Sequence, residues 1–163
     1  MIRKTQLLLF IGSMMLLAQT CSTASPDKGE ASTVMDEDER MAWWREAKFG
    51  LFIHWGVYAV PAGKYGEDTN HGEWIMHRAR IPSAEYKQYA SQFNPVKYDP
   101  AAWVKVAKDA GMRYIVITSK HHDGFAMFHS KSSPYNIVDA TPFDRDPLKE
   151  LAEACEKKNI RLG

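Results

Sequence analysis

The chain has 163 residues, a length that suits one domain and leaves little room for two of ordinary size. Its 45% of hydrophobic and 25% of charged residues are typical of globular proteins and argue against a disordered, collagen-like or wholly membrane-embedded chain. A net charge of +1 argues against a nucleic-acid-binding protein, and two cysteines are too few for a disulfide-stapled scaffold.

Residues 1–24 have the pattern of a secretory signal peptide. Arg3 and Lys4 form a positively charged start, an apolar run over residues 7–17 follows, and small or polar residues come next. This run is shorter than the roughly 20 apolar residues that a membrane-spanning helix needs. We therefore expect an exported protein that is periplasmic or anchored to the outer membrane of a bacterium.

Cys21 is a candidate site of lipid attachment. The segment 17–21 resembles the lipobox of bacterial lipoproteins, in which a diacylglycerol is attached to the cysteine before the signal is cleaved. The match is imperfect, because Thr20 stands where Gly, Ala or Ser is usual and Ala18 stands where Leu is common. Ordinary cleavage after Ala24 is the alternative.

Residues 25–40 are predicted to form a flexible linker, and residues 41–163 the folded region. The linker has almost no large apolar side chains, so it cannot bury enough surface to offset the entropy of ordering. In the folded region, the run 48–55 is rich in aromatic and branched residues and predicts a buried strand that ends at Gly56. The polar, glycine-containing segment 61–71 predicts a long loop, and long loops are often functional.

Two helices are predicted between this strand and the next. Ser83 is a candidate N-cap of the first, whose apolar and aromatic positions recur every three or four residues. In the second, Asp99 is the N-cap, Pro100 takes the first helical position and Gly111 ends the helix. The buried stripe of this second helix is predicted to consist of Trp103, Val106, Ala107 and Ala110.

Further along the chain, the same pattern repeats. The apolar, mostly β-branched run 114–118 has no alternation, as in a parallel strand covered on both faces. Asp146 and Pro147 begin another helix that ends near Asn159, and residues 160–163 begin a further strand. Because strands alternate with helices, we predict an α/β fold with a parallel sheet. The core face of the last helix is assigned to Leu148, Leu151, Ala152 and Cys155.

Ligand sites of parallel α/β folds lie beyond the carboxyl ends of the strands, so polar residues there are the most informative. His54 ends the first strand, although by itself it is equally well interpreted as a core histidine bonded to a backbone carbonyl. The segment 120–125 follows the second strand, and its His121 and His122 can hydrogen-bond a polar substrate. A metal site is the less favoured alternative, because adjacent histidines lack the i, i+4 spacing of helical zinc motifs.

The pair Glu73 and Trp74 follows the predicted loop and suits a carbohydrate. A sugar ring presents hydroxyls at its edge and C–H groups on a face, so a carboxylate, imidazoles and indoles together suit a sugar pocket. The alternative for Glu73 is a charge near a helix N-terminus. Three other histidines are interpreted as solvated surface residues: His71, His77 and His129.

Three segments occur in a specific order and separation. They are residues 44–56, with the sequence WREAKFGLFIHWG, the pair Glu73 and Trp74, and residues 118–125, with the sequence TSKHHDGF. Together they resemble the N-terminal part of an α-L-fucosidase of glycoside hydrolase family 29, and the resemblance spans residues 41–163. One position departs from it, since the family commonly has Tyr after Glu-Trp where this chain has Ile75.

The resemblance implies a (β/α)8 barrel, of which this chain would hold the N-terminal, incomplete portion. It also implies a retaining exo-glycosidase that hydrolyses terminal α-L-fucose from fucosylated glycans, with an Asp nucleophile and a carboxyl acid/base. Neither a metal nor an organic cofactor is implied. The residues implied to bind the sugar are His54, Glu73, Trp74, His121 and His122.

The same resemblance implies that the nucleophile and the acid/base lie beyond Gly163, so that Asp123 has neither role. Retaining glycosidases need two carboxyl groups about 5 to 5.5 Å apart. A complete (β/α)8 barrel takes about 250 residues. We therefore expect a truncated chain without hydrolytic activity of its own, and the alternative is a noncatalytic, lectin-like remnant that binds fucose.

Overall fold

A three-stranded parallel sheet organises the part of the chain that the structure describes. The structure is a computed structural model that describes residues 37–163, so the predicted signal peptide, Cys21 and most of the predicted linker lie outside it. The last residues of that linker, 37–40, belong to helix α1 (Glu37–Ala47). Within residues 37–163, no helix has the length and apolar character needed to cross a membrane.

Short helices and turns connect the strands. The strands are β1 (Gly50–Ile53), β2 (Tyr114–Ile117) and β3 (Arg161–Leu162). The remaining helices are α2 (Ile75–Arg78), α3 (Ser83–Tyr86), α4 (Pro100–Asp109), α5 (Ile137–Ala140) and α6 (Pro147–Lys158). Turns of 3-10 helix span Val57–Ala59, Gly72–Trp74 and Lys87–Gln92.

The strands lie in chain order, β1-β2-β3, and both pairings are parallel. β1 pairs with β2 from Gly50 opposite Tyr114 to Ile53 opposite Ile117, and β3 pairs with β2 from Arg161 opposite Tyr114. A Cβ atom at Gly50 would collide with the Tyr114 ring, so this register favours glycine there. The predicted α/β fold with a parallel sheet is confirmed.

Helices α4 and α6 pack side by side on one face of the sheet. Because alternate strand residues point to opposite faces, Leu51 and Ile53 contact this helical layer while Phe52 points the other way. Phe52 is 59% exposed, so the prediction of a buried first strand is wrong. The buried residues between the sheet and its helices are Val104, Ala107, Ile115, Ile117, Leu151, Cys155 and Ile160.

Aspartates begin α4 and α6 as predicted. Asp99 accepts a hydrogen bond of 3.0 Å from the Ala102 amide, and Asp146 accepts one of 3.0 Å from the Lys149 amide. The second carboxylate oxygen of Asp146 accepts another, of 3.0 Å, from the His129 amide. Asp146 therefore also ties the preceding loop to the start of α6.

Several helix positions differ from prediction. Ser83 is the first helical residue rather than the N-cap, which is Pro82, and no side chain caps the helix. Val106 is 67% exposed, because α4 turns Val104 and Ala107 toward the sheet instead. Two further residues predicted to be in the core are exposed: Ala110 and Ala152.

We expect Asp146→Ala to lower the free energy of unfolding by about 2 kcal/mol, because it removes a helix cap and a second hydrogen bond to the His129 amide. Asp99→Ala is the matched control, since it removes a cap alone and should lower the same quantity by about 1 kcal/mol. Urea unfolding followed by circular dichroism measures both. Equal losses in the two variants would contradict the second role of Asp146.

Candidate functional site

Three loop segments meet beyond the carboxyl end of the sheet. His54 follows β1 directly, the turn Gly72–Trp74 carries Glu73 and Trp74, and residues 120–125 follow β2. Because β1 and β2 are parallel neighbours, their carboxyl ends lie at the same edge and bring the first and third segments together. The site-bearing residues come from loops held by a regular sheet.

His121 lies at the centre of this cluster. Its ring centroid is 5.8 Å from that of His54, 5.5 Å from that of Trp74 and 4.8 Å from that of His122. His122 stacks on Trp74, with 4.4 Å between the ring centroids and 6° between the planes. The structure thus brings these four predicted residues together, while their role in binding stays a prediction.

Glu73 joins the cluster through its backbone and its charge. His122 Nε2 donates a hydrogen bond of 3.0 Å to the carbonyl oxygen of Glu73. A hydrogen bond from its own backbone N–H lowers the pKa of the Glu73 carboxyl, and the imidazoles of His54 and His121 lower it further, which together outweigh burial. At neutral pH the side chain is therefore a carboxylate that only accepts hydrogen bonds. Glu73 also lies in the first turn of a short helical segment, as the alternative interpretation held.

The surroundings of the His121 imidazole favour its neutral form. Burial lowers its pKa below the ordinary histidine value, and the neighbouring His122 lowers it further, while Asp123 acts in the opposite direction without reversing the shift. Its Nδ1 atom is buried and has no hydrogen-bond partner among residues 37–163.

Tyr58 and Thr118 belong to the site, although sequence reasoning assigned them no role there. The Tyr58 ring centroid lies 5.5 Å from that of His121, and the Tyr58 hydroxyl oxygen lies 3.3 Å from Thr118 Oγ1. Thr118 Oγ1 donates to the Trp55 carbonyl (3.0 Å) and accepts from the Trp55 amide (3.1 Å), so Tyr58 is the donor to Thr118. The only sequence signal was the polar Thr118 directly after β2.

Trp55 faces the core and takes no part in the cluster of rings around His121. Its ring centroid lies 5.7 Å from Phe93, 5.3 Å from Tyr98 and 5.3 Å from Trp103. Of these two adjacent residues, His54 therefore contacts the site and Trp55 packs in the core.

The three histidines interpreted as solvated differ from one another. His77 and His129 are exposed, as predicted, and His129 Nε2 lies 3.8 Å from an oxygen of Asp139. His71 is half-buried, and its Nε2 atom is buried without a hydrogen-bond partner in the described range 37–163. The interpretation of His71 as a solvated side chain is therefore wrong.

The chemistry that the cluster offers is that of polar recognition. Among residues 37–163, no three His, Cys, Asp or Glu side chains are placed to hold a metal ion. The cluster combines a carboxylate, several imidazoles and the indole of Trp74, a residue that is 40% exposed. This combination suits a ligand with hydroxyls at its edge and an apolar face.

Comparison with known proteins gives a consistent result. The sequence profile of the Alpha-L-fucosidase family matches residues 16–163. The chain is 36% identical to the tissue alpha-L-fucosidase of Homo sapiens, over 96% of this chain and 35% of that protein. It is 35% identical to the alpha-L-fucosidase of Branchiostoma floridae, over 91% of this chain and 35% of that protein. The chain thus spans about a third of the length of these curated relatives.

Solved structures agree with the sequence relatives. The unliganded alpha-L-fucosidase AlfC from Lactobacillus casei matches with a TM-score of 0.74 and 48% identity, over 77% of this chain and 39% of that chain. A GH29 alpha-L-fucosidase from Bacteroides thetaiotaomicron, trapped as a covalent intermediate, matches with a TM-score of 0.73 and 38% identity, over 78% of this chain and 29% of that chain.

A parallel α/β fold that gathers histidines, a carboxylate and an indole at its strand ends is consistent with a glycoside hydrolase. Within that class, this chain belongs to the alpha-L-fucosidase family, glycoside hydrolase family 29.

The charges around His121 predict opposite effects of two substitutions on its pKa. Asp123→Asn should lower the pKa of His121 further, because the Asp123 carboxylate favours the imidazolium form. His122→Gln should raise it, because a second imidazole that can carry positive charge disfavours protonation of the first. NMR titration of the histidine ring signals measures both shifts. A shift in the reverse direction in either variant would contradict this account of the electrostatics.

Proposed function

We propose that the protein is a retaining, exo-acting α-L-fucosidase whose described residues bind the fucose ring. The observation that carries the proposal is a chain of contacts in a member of this family: His54 contacts His121, and both His121 and His122 contact the Glu73–Trp74 turn. A matched structure of AlfC holds an alpha-L-fucose product. The proposed substrates are glycans that end in α-L-fucose.

Each side chain has a distinct part in the proposed binding mode. The Glu73 carboxylate accepts hydrogen bonds from sugar hydroxyls, and His54 and His121 hydrogen-bond neighbouring hydroxyls. Trp74 packs against the C–H face of the ring. Together they fix the orientation of the sugar before reaction, which lowers the entropic part of the barrier.

Asp123 is not proposed as a catalytic carboxylate. One of its oxygens accepts a hydrogen bond of 2.9 Å from the Tyr86 hydroxyl, and the other accepts one of 3.0 Å from the Phe125 amide. Both oxygens are therefore engaged within the protein. The nucleophile and the acid/base are not assigned to any residue of the range 37–163.

We also propose that the sheet belongs to a (β/α)8 barrel. Supporting this, the strands are parallel, lie in chain order and carry α4 and α6 on the same face, whereas doubly wound sheets carry helices on both faces. The site lies at the carboxyl ends of the strands, where such barrels bind their substrates.

Glu73→Gln in the complete protein should lower kcat/KM for an aryl α-L-fucoside by about tenfold or more, because hydrogen bonds to a charged acceptor are the stronger ones. Glu153→Gln, which changes an exposed residue of α6, is the matched control and should leave the rate unchanged. A colorimetric assay measures hydrolysis, and calorimetric titration with fucose measures binding.

Three outcomes of these assays are distinct. Fucose binding without hydrolysis by the complete protein would favour the lectin-like alternative. A wild-type protein that neither binds nor hydrolyses the fucoside would contradict the proposed function. Hydrolysis by the 163-residue chain on its own would contradict the expectation that this chain is inactive.

We further propose that the protein is exported, with Cys21 as its lipid attachment site. The support is the sequence pattern of residues 1–24, which lie outside the described range. In a bacterial host, Cys21→Ser should abolish incorporation of labelled palmitate and move the protein from the membrane to the soluble periplasmic fraction. Cys155→Ala, the matched control, should change neither. Soluble wild-type protein that begins after Ala24 would contradict the lipid anchor.

A further inference from the structure

The loop that carries His121 and His122 is hydrogen-bonded to the interior of the protein through Asp123. Tyr86, at the end of α3, is 0% exposed, and its hydroxyl donates a hydrogen bond of 2.9 Å to Asp123 Oδ2. The other oxygen of Asp123 accepts a hydrogen bond from the Phe125 amide and closes a local turn. A hydrogen bond from a hydroxyl to a carboxylate is stronger than one between two neutral groups.

The Tyr86 ring is itself immobilised by packing. It lies edge-on to Tyr89, with 5.6 Å between ring centroids, and belongs to the hydrophobic core beneath the loop. Phe125, the residue after the turn, is also buried and lies 5.0 Å from the Tyr135 ring centroid. Asp123 and Phe125 are thus two fixed points directly after the histidine pair.

The backbone between these points has little freedom. The Gly124 amide donates a hydrogen bond of 3.0 Å to the His121 carbonyl, and Gly124 has φ of 79°, a left-handed conformation that glycine adopts readily. The turn is therefore closed between His121 and Gly124, and Asp123 inside it is hydrogen-bonded to Tyr86. Its geometry determines where the preceding imidazoles point.

We infer that Asp123 is a positioning residue, an inference that rests on the proposed function. Its carboxylate accepts a hydrogen bond from the buried hydroxyl of Tyr86, and it thereby keeps His121 and His122 against Trp74 for fucose binding. Asp123 and Tyr86 act through the loop and do not touch the sugar themselves. The stacking of His122 on Trp74 at 4.4 Å and its hydrogen bond to the Glu73 carbonyl are the contacts that this anchor maintains.

Tyr86→Phe tests the anchor, because it deletes one hydroxyl and keeps the ring. Tyr135→Phe is the matched control: its hydroxyl is also buried, but it has no hydrogen-bond partner among residues 37–163. In the complete protein, Tyr86→Phe should raise KM for an aryl α-L-fucoside by about tenfold, as expected for loss of a hydrogen bond to a charged group. Tyr135→Phe should leave KM within about twofold of wild type.

A second readout reports the position of His122 without any sugar. Stacking on an indole displaces the His122 ring protons upfield in the NMR spectrum, and the signal is assigned through its loss in His122→Gln. The displacement should shrink in Tyr86→Phe and persist in Tyr135→Phe. Thermal unfolding is recorded for both, since a purely structural role would lower the melting temperature without moving the His122 signals.

The variants of Asp123 separate anchoring from charge. Asp123→Asn keeps an oxygen for the Phe125 amide and an amide group that can donate to the Tyr86 oxygen. The upfield shift of the His122 ring protons should therefore persist. Asp123→Ala removes both hydrogen bonds, and the displacement should be lost. Unchanged His122 signals in Tyr86→Phe and Asp123→Ala would overturn the inference. If wild type fails to bind fucose, the proposed function fails, and the sugar-free spectra still decide whether the anchor exists.

Discussion

The side chain of Thr118 joins the ends of β1 and β2, and the geometry of the site depends on this junction. The backbone ladder ends with the Thr118 amide donating to the Ile53 carbonyl at 3.1 Å. Beyond it, the Thr118 hydroxyl hydrogen-bonds both the amide and the carbonyl of Trp55. A side chain thereby continues the pairing by two residues. His54, between those two points, is held within ring contact of His121.

Two hydrophobic clusters stabilise different parts of the protein around this junction. One lies between the sheet and α4 and α6 and fixes the strands. The other lies under the loops and is largely aromatic, with Tyr58, Tyr86 and Phe125 among its buried members. Aromatic rings are large and have few rotatable bonds, so a loop packed on them loses little further entropy when a ligand binds. This second cluster explains how irregular segments hold a defined arrangement of imidazoles.

The features that the sequence predicted correctly depend on neighbouring residues in the chain. Asp99 and Asp146 mark helix starts because a cap and the amide it satisfies are only three residues apart. Val106 was misplaced because its helix has two plausible apolar faces, and only the position of the sheet decides between them. The hydrogen bond between Tyr86 and Asp123 joins residues 37 positions apart, so no local sequence pattern predicts it. The histidines were found because parallel strands end at one edge, and the family resemblance strengthened that expectation.

The hydrogen bond between His122 and the Glu73 carbonyl has a consequence for the hydrogen bonds that the other ring nitrogen can make. A backbone carbonyl can only accept, so Nε2 of His122 carries a proton, and the neutral ring is the Nε2–H tautomer. In that tautomer, the Nδ1 atom carries a lone pair and accepts hydrogen bonds. A hydroxyl group placed at this atom would have to donate its hydrogen to Nδ1. An ether oxygen has no hydrogen to donate, so its lone pair would face the lone pair of Nδ1 and repel it. The backbone of the Glu73–Trp74 turn thus determines which nitrogen of the neutral His122 ring, on the neighbouring loop, is left as an acceptor.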